Sequence, residues 1–338
     1  VRAPMYVVKQ YTASDGIGGS YTVSESYATA RVDVRGRGFL GFASRSTIDG
    51  RNNVKNTTGF RQDFPYIGLA YQSTTYQSDN TAIAQTTNAL TELAVQGTPQ
   101  VNDRHLPFVQ QSVQESREVG GGGNGSLIAR VTTTTALDSW GNPTSVTALT
   151  EGLTGTAQSF TSVTSSSYNT ADSDCWRRGF VTQQQVTNTV PGYSAQTRTV
   201  QYVKDSGAPQ LCRVYQQIVE PGAGGSITLT KTFAFDAFGH PTSETVSGSG
   251  ITSRTTTTSF GTRGVFPESV TNAPSQTAYK TYDFALGVPL TATDPNGLMV
   301  SFQYDGFGRL LKETRPDGTK TVFSYSSCTS TNNYCGDG

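Results

Sequence analysis

Three repeated carboxylates are the first residues to weigh for chemistry. Asp236, Asp283 and Asp305 each follow an aromatic side chain, Phe235, Tyr282 and Tyr304. A glycosidase needs two carboxylates about 5–10 Å apart on either side of the bond it breaks. Equivalent positions in successive hairpins also lie about 10 Å apart, two strand spacings, so any hairpin array brings them this close. An Asp ahead of a glycine accepts hydrogen bonds from turn amides, and that assigns these three to turns. Asp294-Pro295-Asn296-Gly297-Leu298 adds a fourth carboxylate. Aspartyl chemistry needs two carboxylates sharing a proton, and this string falls in register with the repeat, so it too reads as a turn.

Other constellations are poorer. His105 and His240 are the only histidines, 135 positions apart, and no C-x-x-C occurs; zinc needs clustered sulfur or imidazole ligands. Arg35, Arg37 and Arg45 form the densest basic patch. With Gly36 and Gly38 they could build an anion nest, but strand arginines beside a tight turn are the better reading. There is no G-x-S-x-G elbow and no Walker A string. Asn56-Thr57-Thr58 matches a glycosylation acceptor, a triplet common by chance. No catalytic, cofactor-binding or metal-ligating residue is assigned, and no enzyme activity is expected.

Composition narrows the classes further. In 338 residues, 25 Lys+Arg balance 25 Asp+Glu. Nucleic acid, which needs a cationic surface, is therefore not expected as a partner, nor is membrane attachment through basic residues. No apolar stretch approaches the ~20 residues of a transmembrane helix. Charged residues are 15% of the chain, against about 25% in an average domain. Thr, Ser, Gln and Asn must cover the surface instead. Thr, Tyr, Phe and Val recur while strong helix formers are sparse, which makes this a β protein. Cys175, Cys212, Cys328 and Cys335 allow three full pairings, Cys175–Cys212 with Cys328–Cys335 being the most local. The chain opens at Val1 without a leader or start Met and stops at Gly338, as expected of a piece of something longer.

The elements that must position the carboxylates repeat. Aromatic anchors fall at Phe235, Phe260, Tyr282 and Tyr304, with Tyr325 as a fifth, at separations of 25, 22, 22 and 21. Gly239, Gly264, Gly287 and Gly308 follow them, and Leu137-Asp138-Ser139-Trp140-Gly141-Asn142 has the same frame with Leu in the aromatic place. A period of this length marks a repeat architecture. Met299–Tyr304 alternates Val300, Phe302 and Tyr304 on one face and reads as a strand. Asp305–Gly308 is a turn, Arg309–Thr314 returns, and Pro316-Asp317-Gly318 turns again. The result is a tandem array of antiparallel hairpins. Ala82–Val95 puts Ala82, Ala89, Leu90 and Leu93 on one helical face, but Thr86, Thr87 and Thr91 oppose a helix. Gly120–Gly125 reads as a flexible loop or boundary. The expected regions are 1–119, a pre-repeat β region, 120–229, degenerate hairpins, and 230–338, the clearest repeats.

Tyr304-Asp305-Gly306-Phe307-Gly308-Arg309, with Arg315-Pro316-Asp317-Gly318, resembles the YD repeat of the bacterial RHS and insecticidal toxin-complex proteins. Arg35–Phe42 with Phe64–Gly68, and Asp174–Gly179, are similar to segments of the toxin-complex B-type proteins. The resemblance implies hairpins winding as part of a hollow shell, or cocoon. Such a wall segment encloses a toxin polypeptide, contacts neighbouring shell segments, and is secreted or associated with the cell surface. In that family a self-cleaving core carries an Asp-Pro-x-Gly-Leu-x-Gly string; here Met299 follows Leu298 and the second Gly is missing. At about 22 residues per hairpin the chain would hold about thirty strands, on the order of 140 Å of sheet. Barrels of 16–18 strands already leave an open lumen, so thirty strands in one sheet must coil around a space or fold into layers. The alternative is an extracellular array whose aromatic residues bind carbohydrate.

Overall fold

The computed structural model describes residues 6–93, 105–155, 158–169, 179–205, 213–222 and 227–325. All four cysteines, and most of Asp174–Gly179, lie outside them. The described residues contain 22 strands, all in one antiparallel sheet, and no helix among them is long and apolar enough to cross a membrane. The chain divides into two compact units, residues 1–198 and 199–338.

The first unit begins with β1 (Gln10–Ser14), β2 (Ser20–Asp33), β3 (Gly38–Asp49), β4 (Lys55–Phe60), β5 (Ala70–Tyr76) and β6 (Ala82–Glu92). It continues through β7 (Pro107–Arg117), β8 (Leu127–Leu137), β9 (Pro143–Gly152), β10 (Gln158–Tyr168) and β11 (Val181–Thr189). Each strand pairs with the next, and one row of partners crosses ten of them: Ala28, Ser44, Gly59, Gln72, Thr87, Val113, Thr132, Leu149, Thr161 and Thr189. The threonines settle Ala82–Glu92 as a strand. Thr86 and Thr87 pair with β5 and β7 neighbours, where a β-branched side chain packs without the crowding it meets in a helix.

The division between units falls within β12 (Gln196–Lys204). Then follow β13 (Val214–Val219), β14 (Leu229–Phe235), β15 (Pro241–Gly248), β16 (Ile251–Ser259) and β17 (Ser269–Thr271). The last strands are β18 (Thr277–Asp283), β19 (Val288–Thr293), β20 (Met299–Tyr304), β21 (Leu310–Thr314) and β22 (Lys320–Val322). Among the described residues the strands number 22, against the thirty expected from a uniform period, and upstream strands are longer; β2 and β3 have 14 and 12 residues where β20 and β21 have 6 and 5.

A buried apolar core does not hold this sheet. Among the described residues only Val23, Glu25, Gly59 and Thr74 are buried. Cross-strand hydroxyl pairs recur instead: Thr245–Thr255 at 2.9 Å, Thr271–Thr277 at 2.8 Å, Thr281–Thr291 at 2.7 Å and Thr187–Thr197 at 3.0 Å. Each such pair contributes roughly 0.2–1 kcal/mol. The buried Glu25 accepts two bonds from Arg45, at 2.9 and 2.7 Å, and one from Thr47 at 2.9 Å.

Gly120–Gly125 is more organised than its composition suggests. It joins β7 to β8 through a 3-10 turn at Gly121–Gly123. The Gly120 amide donates to Asn124 Oδ1 at 2.9 Å, and Gln77 donates to the same oxygen at 2.7 Å. A side-chain acceptor supplies the order that the glycines do not.

Candidate functional site in the repeat turns

The carboxylates singled out in the sequence sit in a turn with a fixed bonding pattern. The N–H of its first residue donates to the fifth carbonyl, and the N–H of the fourth donates back to the first. Residues 138–142, 236–240, 294–298, 305–309 and 315–319 all do this, with both distances between 2.9 and 3.1 Å. The fourth residue is Gly141, Gly239, Gly297, Gly308 or Gly318, each at positive φ, a conformation only glycine adopts freely.

Aspartate at the first position completes the turn. Asp138, Asp236, Asp294 and Asp305 each place Oδ1 2.8–2.9 Å from the amides of the third and fifth residues. The second oxygen of three of them takes the side chain of the fifth: Asn142 Nδ2 at 2.9 Å, His240 Nδ1 at 2.9 Å and Arg309 Nε at 2.6 Å. The Leu298 amide holds Asp294 below the usual carboxylate range, and the Arg309 amide does the same for Asp305. At Asp236 desolvation opposes ionisation, but bonds from the His240 side chain and amide outweigh it. Asp317 sits at the third position and accepts from the Thr319 hydroxyl and amide, at 2.7 and 2.9 Å, which lowers it as well.

Two anchors depart from this form. The turn after Tyr282 is one residue longer. Gly287 donates to the Asp283 carbonyl at 2.8 Å, and Asp283 Oδ1 accepts the Ala285 and Leu286 amides. Phe260 lies just beyond β16 and is followed by Gly261, so no carboxylate serves that turn; Gly264 donates to the Phe260 carbonyl at 3.2 Å.

The residue before the turn separates two kinds. Leu137, Phe235 and Tyr304 pair with Pro143, Pro241 and Leu310, and in each case the register slips one residue deeper in the hairpin. Such a bulge adds local twist and re-aims side chains. Thr271, Thr293 and Thr314 precede turns of the same length without any slip. Sequence reasoning missed two turns of the family. Residues 77–81 follow Tyr76 and use Asn80 at positive φ; residues 272–276 use Ser275 there. With no glycine at the fourth place the frame was hidden, though Tyr76 and Asn80 were usable signals.

Rings of neighbouring turns meet. His240 stacks on Phe260 with centroids 4.4 Å apart, and Phe266 on Tyr282 at 4.7 Å. Arg213 lies over Phe235 at 4.3 Å, Arg263 over Phe284 at 4.3 Å and Arg309 over Tyr325 at 4.7 Å. Burial raises the phenols of Tyr282 and Tyr304. Arg37 and Phe64, from separate segments, are likewise brought together, with the guanidinium 3.9 Å from the ring centre. Gln62 ties the same segments by donating to the Gly41 carbonyl at 2.8 Å. Of the other arginines in that patch, Arg45 is bound to Glu25, and the Arg35 amide donates to Asp33. No group of metal-ligating side chains gathers among the described residues.

The RHS Repeat family matches residues 276–320, the stretch that carries the Asp283, Asp294 and Asp305 turns. No curated protein matches the chain. Among solved structures, TcdB2-TccC3-Cdc42 is similar with a TM-score of 0.71 at 11% identity, over 95% of this chain and 23% of that one. TcdB2-TccC3 without its hypervariable C-terminal region gives 0.70 at 12%, over 95% and 23%. A Photorhabdus luminescens Tc holotoxin pore gives 0.67 at 11%, over 90% and 22%. The chain thus spans less than a quarter of the length of these chains, and the likeness is one of fold. Residues 276–320 thus match an RHS repeat, and the fold along nearly all of the chain is similar to that of the toxin-complex structures.

Proposed function

We propose that the chain is a non-catalytic wall segment of a shell that encloses a toxin polypeptide and helps deliver it. The observation that carries this reading is a long antiparallel sheet with only Val23, Glu25, Gly59 and Thr74 buried among its described residues. A globular binding domain of this size would bury a core; a wall needs water on both sides. Thr and Ser wet the sheet without fixed charges that would hold a passing polypeptide. Enclosure acts physically, by keeping proteases and targets from the payload. The repeat residues Phe235, Asp236, Tyr282, Asp283, Tyr304 and Asp305 are structural anchors in this account. Each of those aspartates accepts turn amides, so none stands as a free general acid or base. Secretion with the toxin, and contact with neighbouring shell segments, go with the same role.

Limited proteolysis of the native full-length polypeptide tests this, with electron microscopy alongside. The expected result is a cavity and a cargo that stays uncut until the sheet is unfolded. A solid rod without a lumen, or a cargo cleaved as fast as a free chain, would overturn the reading.

A further inference from the structure

The first unit holds a cavity of about 620 Å³ where β9, β10 and the turn after β11 meet. Small-molecule sites occupy roughly 300–1,000 Å³. Local sequence builds its walls. Val190-Pro191-Gly192-Tyr193 is a tight turn in which the Tyr193 amide donates to the Val190 carbonyl at 3.1 Å. Proline stands second and Gly192 third, with φ at 82–86° about its value of 84°, as a type II turn requires. This turn sets Tyr193, 78% exposed, at the cavity with Phe160. On the β9–β10 hairpin Thr150 pairs with Phe160 and Gly152 with Gln158, so these four stand on one face. Gly152 supplies the room. Its φ lies outside the left-handed region, and an added Cβ would meet only the Gln158 carbonyl oxygen, at 3.8 Å.

The lining is uncharged and its functional groups are free. Among the described residues no charged side chain borders the cavity, so an ionic ligand would find no counter-charge there. Rings elsewhere in the sheet are covered, His240 by Phe260 and Phe266 by Tyr282. Glutamines elsewhere are bonded, Gln77 to Asn124 and Gln216 to Thr232. The side chains of Thr150, Gln158, Phe160 and Tyr193 have no such partner among the described residues. Two uncovered rings thus stand beside an amide and a hydroxyl that can both donate and accept.

That pairing selects the ligand class. A pyranose has a C–H face that lies on the negative face of an aromatic ring, and its edge carries hydroxyls that an amide and a hydroxyl satisfy. A peptide fits less well. β9 is paired on both sides, and β10 is open toward β11 only at Gln158–Phe160, shorter than the about five residues of an ordinary strand. A proline-rich segment needs a groove of successive rings. We propose that this cavity binds a neutral saccharide, with a pyranose against Tyr193 and Phe160 and its hydroxyls on Gln158 and Thr150. The site needs only this end of the first unit and does not rest on the wall reading.

Saturation-transfer difference NMR on the native full-length polypeptide tests it. The probes are lactose, maltose and N,N′-diacetylchitobiose at millimolar concentration, with a proline-rich peptide alongside. At least one disaccharide should receive saturation. Gly152→Phe, which fills the cavity, and Tyr193→Ala should each lower that transfer at least fivefold, while Tyr193→Phe keeps it. Far-ultraviolet circular dichroism identifies a variant that misfolds, and the other then decides. No transfer to any of the three disaccharides, transfer to the peptide alone, or transfer that the folded Gly152→Phe and Tyr193→Ala variants leave unchanged would overturn the site.

Discussion

His240 lies flat against Phe260, with ring planes 21° from parallel, while its Nδ1 bonds Asp236 Oδ2 at 2.9 Å. One side chain therefore closes its own turn and ties it to the next turn on the same rim. Replacing Phe260 by Leu keeps an apolar group but removes the stack, at an expected cost of about 0.5–1.5 kcal/mol. A double-mutant cycle with His240→Ala, read by urea denaturation, should return a coupling of that size. Additive losses would show that the rings touch without cooperating.

Asp305 and Arg309 make a second such link, and here the acceptor geometry decides. Asp305→Asn keeps an oxygen for the Phe307 and Arg309 amides and loses only the ion pair. Asp305→Ala loses all three bonds. Thermal melting should therefore fall more for Ala than for Asn, and hydrogen exchange at the two amides should accelerate only for Ala. Asp283→Asn should likewise change stability alone. Loss of any detected turnover in the Asn variants would restore a catalytic reading.

Gly264 and Gly308 both sit at positive φ, but in different surroundings. Alanine at either position costs roughly 1 kcal/mol in backbone strain. At 308 the nearest atom to the new Cβ is Val288 Cγ1 at 3.9 Å, whereas at 264 it is the Phe238 ring at 3.0 Å. Gly264→Ala should be the more damaging substitution, and Phe238→Ala should recover the excess. Equal losses in chemical denaturation would show that the ring yields freely.

Acid should dissolve the network below the usual carboxylate range. Hydrogen bonds from Arg45, and then from Thr47, hold Glu25 below its ordinary value against the opposing effect of burial. Arg130 acts in the same direction on Glu115. A carboxyl lowered in the folded chain contributes stability above its unfolded value, near pH 4.5 for Glu, and loses it as pH falls through the folded value. Unfolding followed by circular dichroism should be flat from pH 7 to about 5 and steep below 4. Glu25→Gln should cost about 1.5–3 kcal/mol at neutral pH and flatten the acid limb.

Alternation in Met299–Tyr304, the Asp-x-x-Gly spacing and the weight of Thr were enough to give strands and turns, because each is a local property of backbone and side chain, whereas the scarcity of buried residues was seen only in the folded sheet. Local signals were incomplete where a neighbour decided the outcome: the threonines of Ala82–Glu92 opposed a helix and its ladders with β5 and β7 made it a strand, while Gly120–Gly125 gained order from Asn124. Asn80 and Ser275 took the place of glycine in turns otherwise the same. Only the tertiary structure showed that Phe235, Tyr282 and Tyr304 sit at register slips. Which end of a hairpin a turn occupies depends on counting every strand before it, and that count exists only once the sheet is assembled.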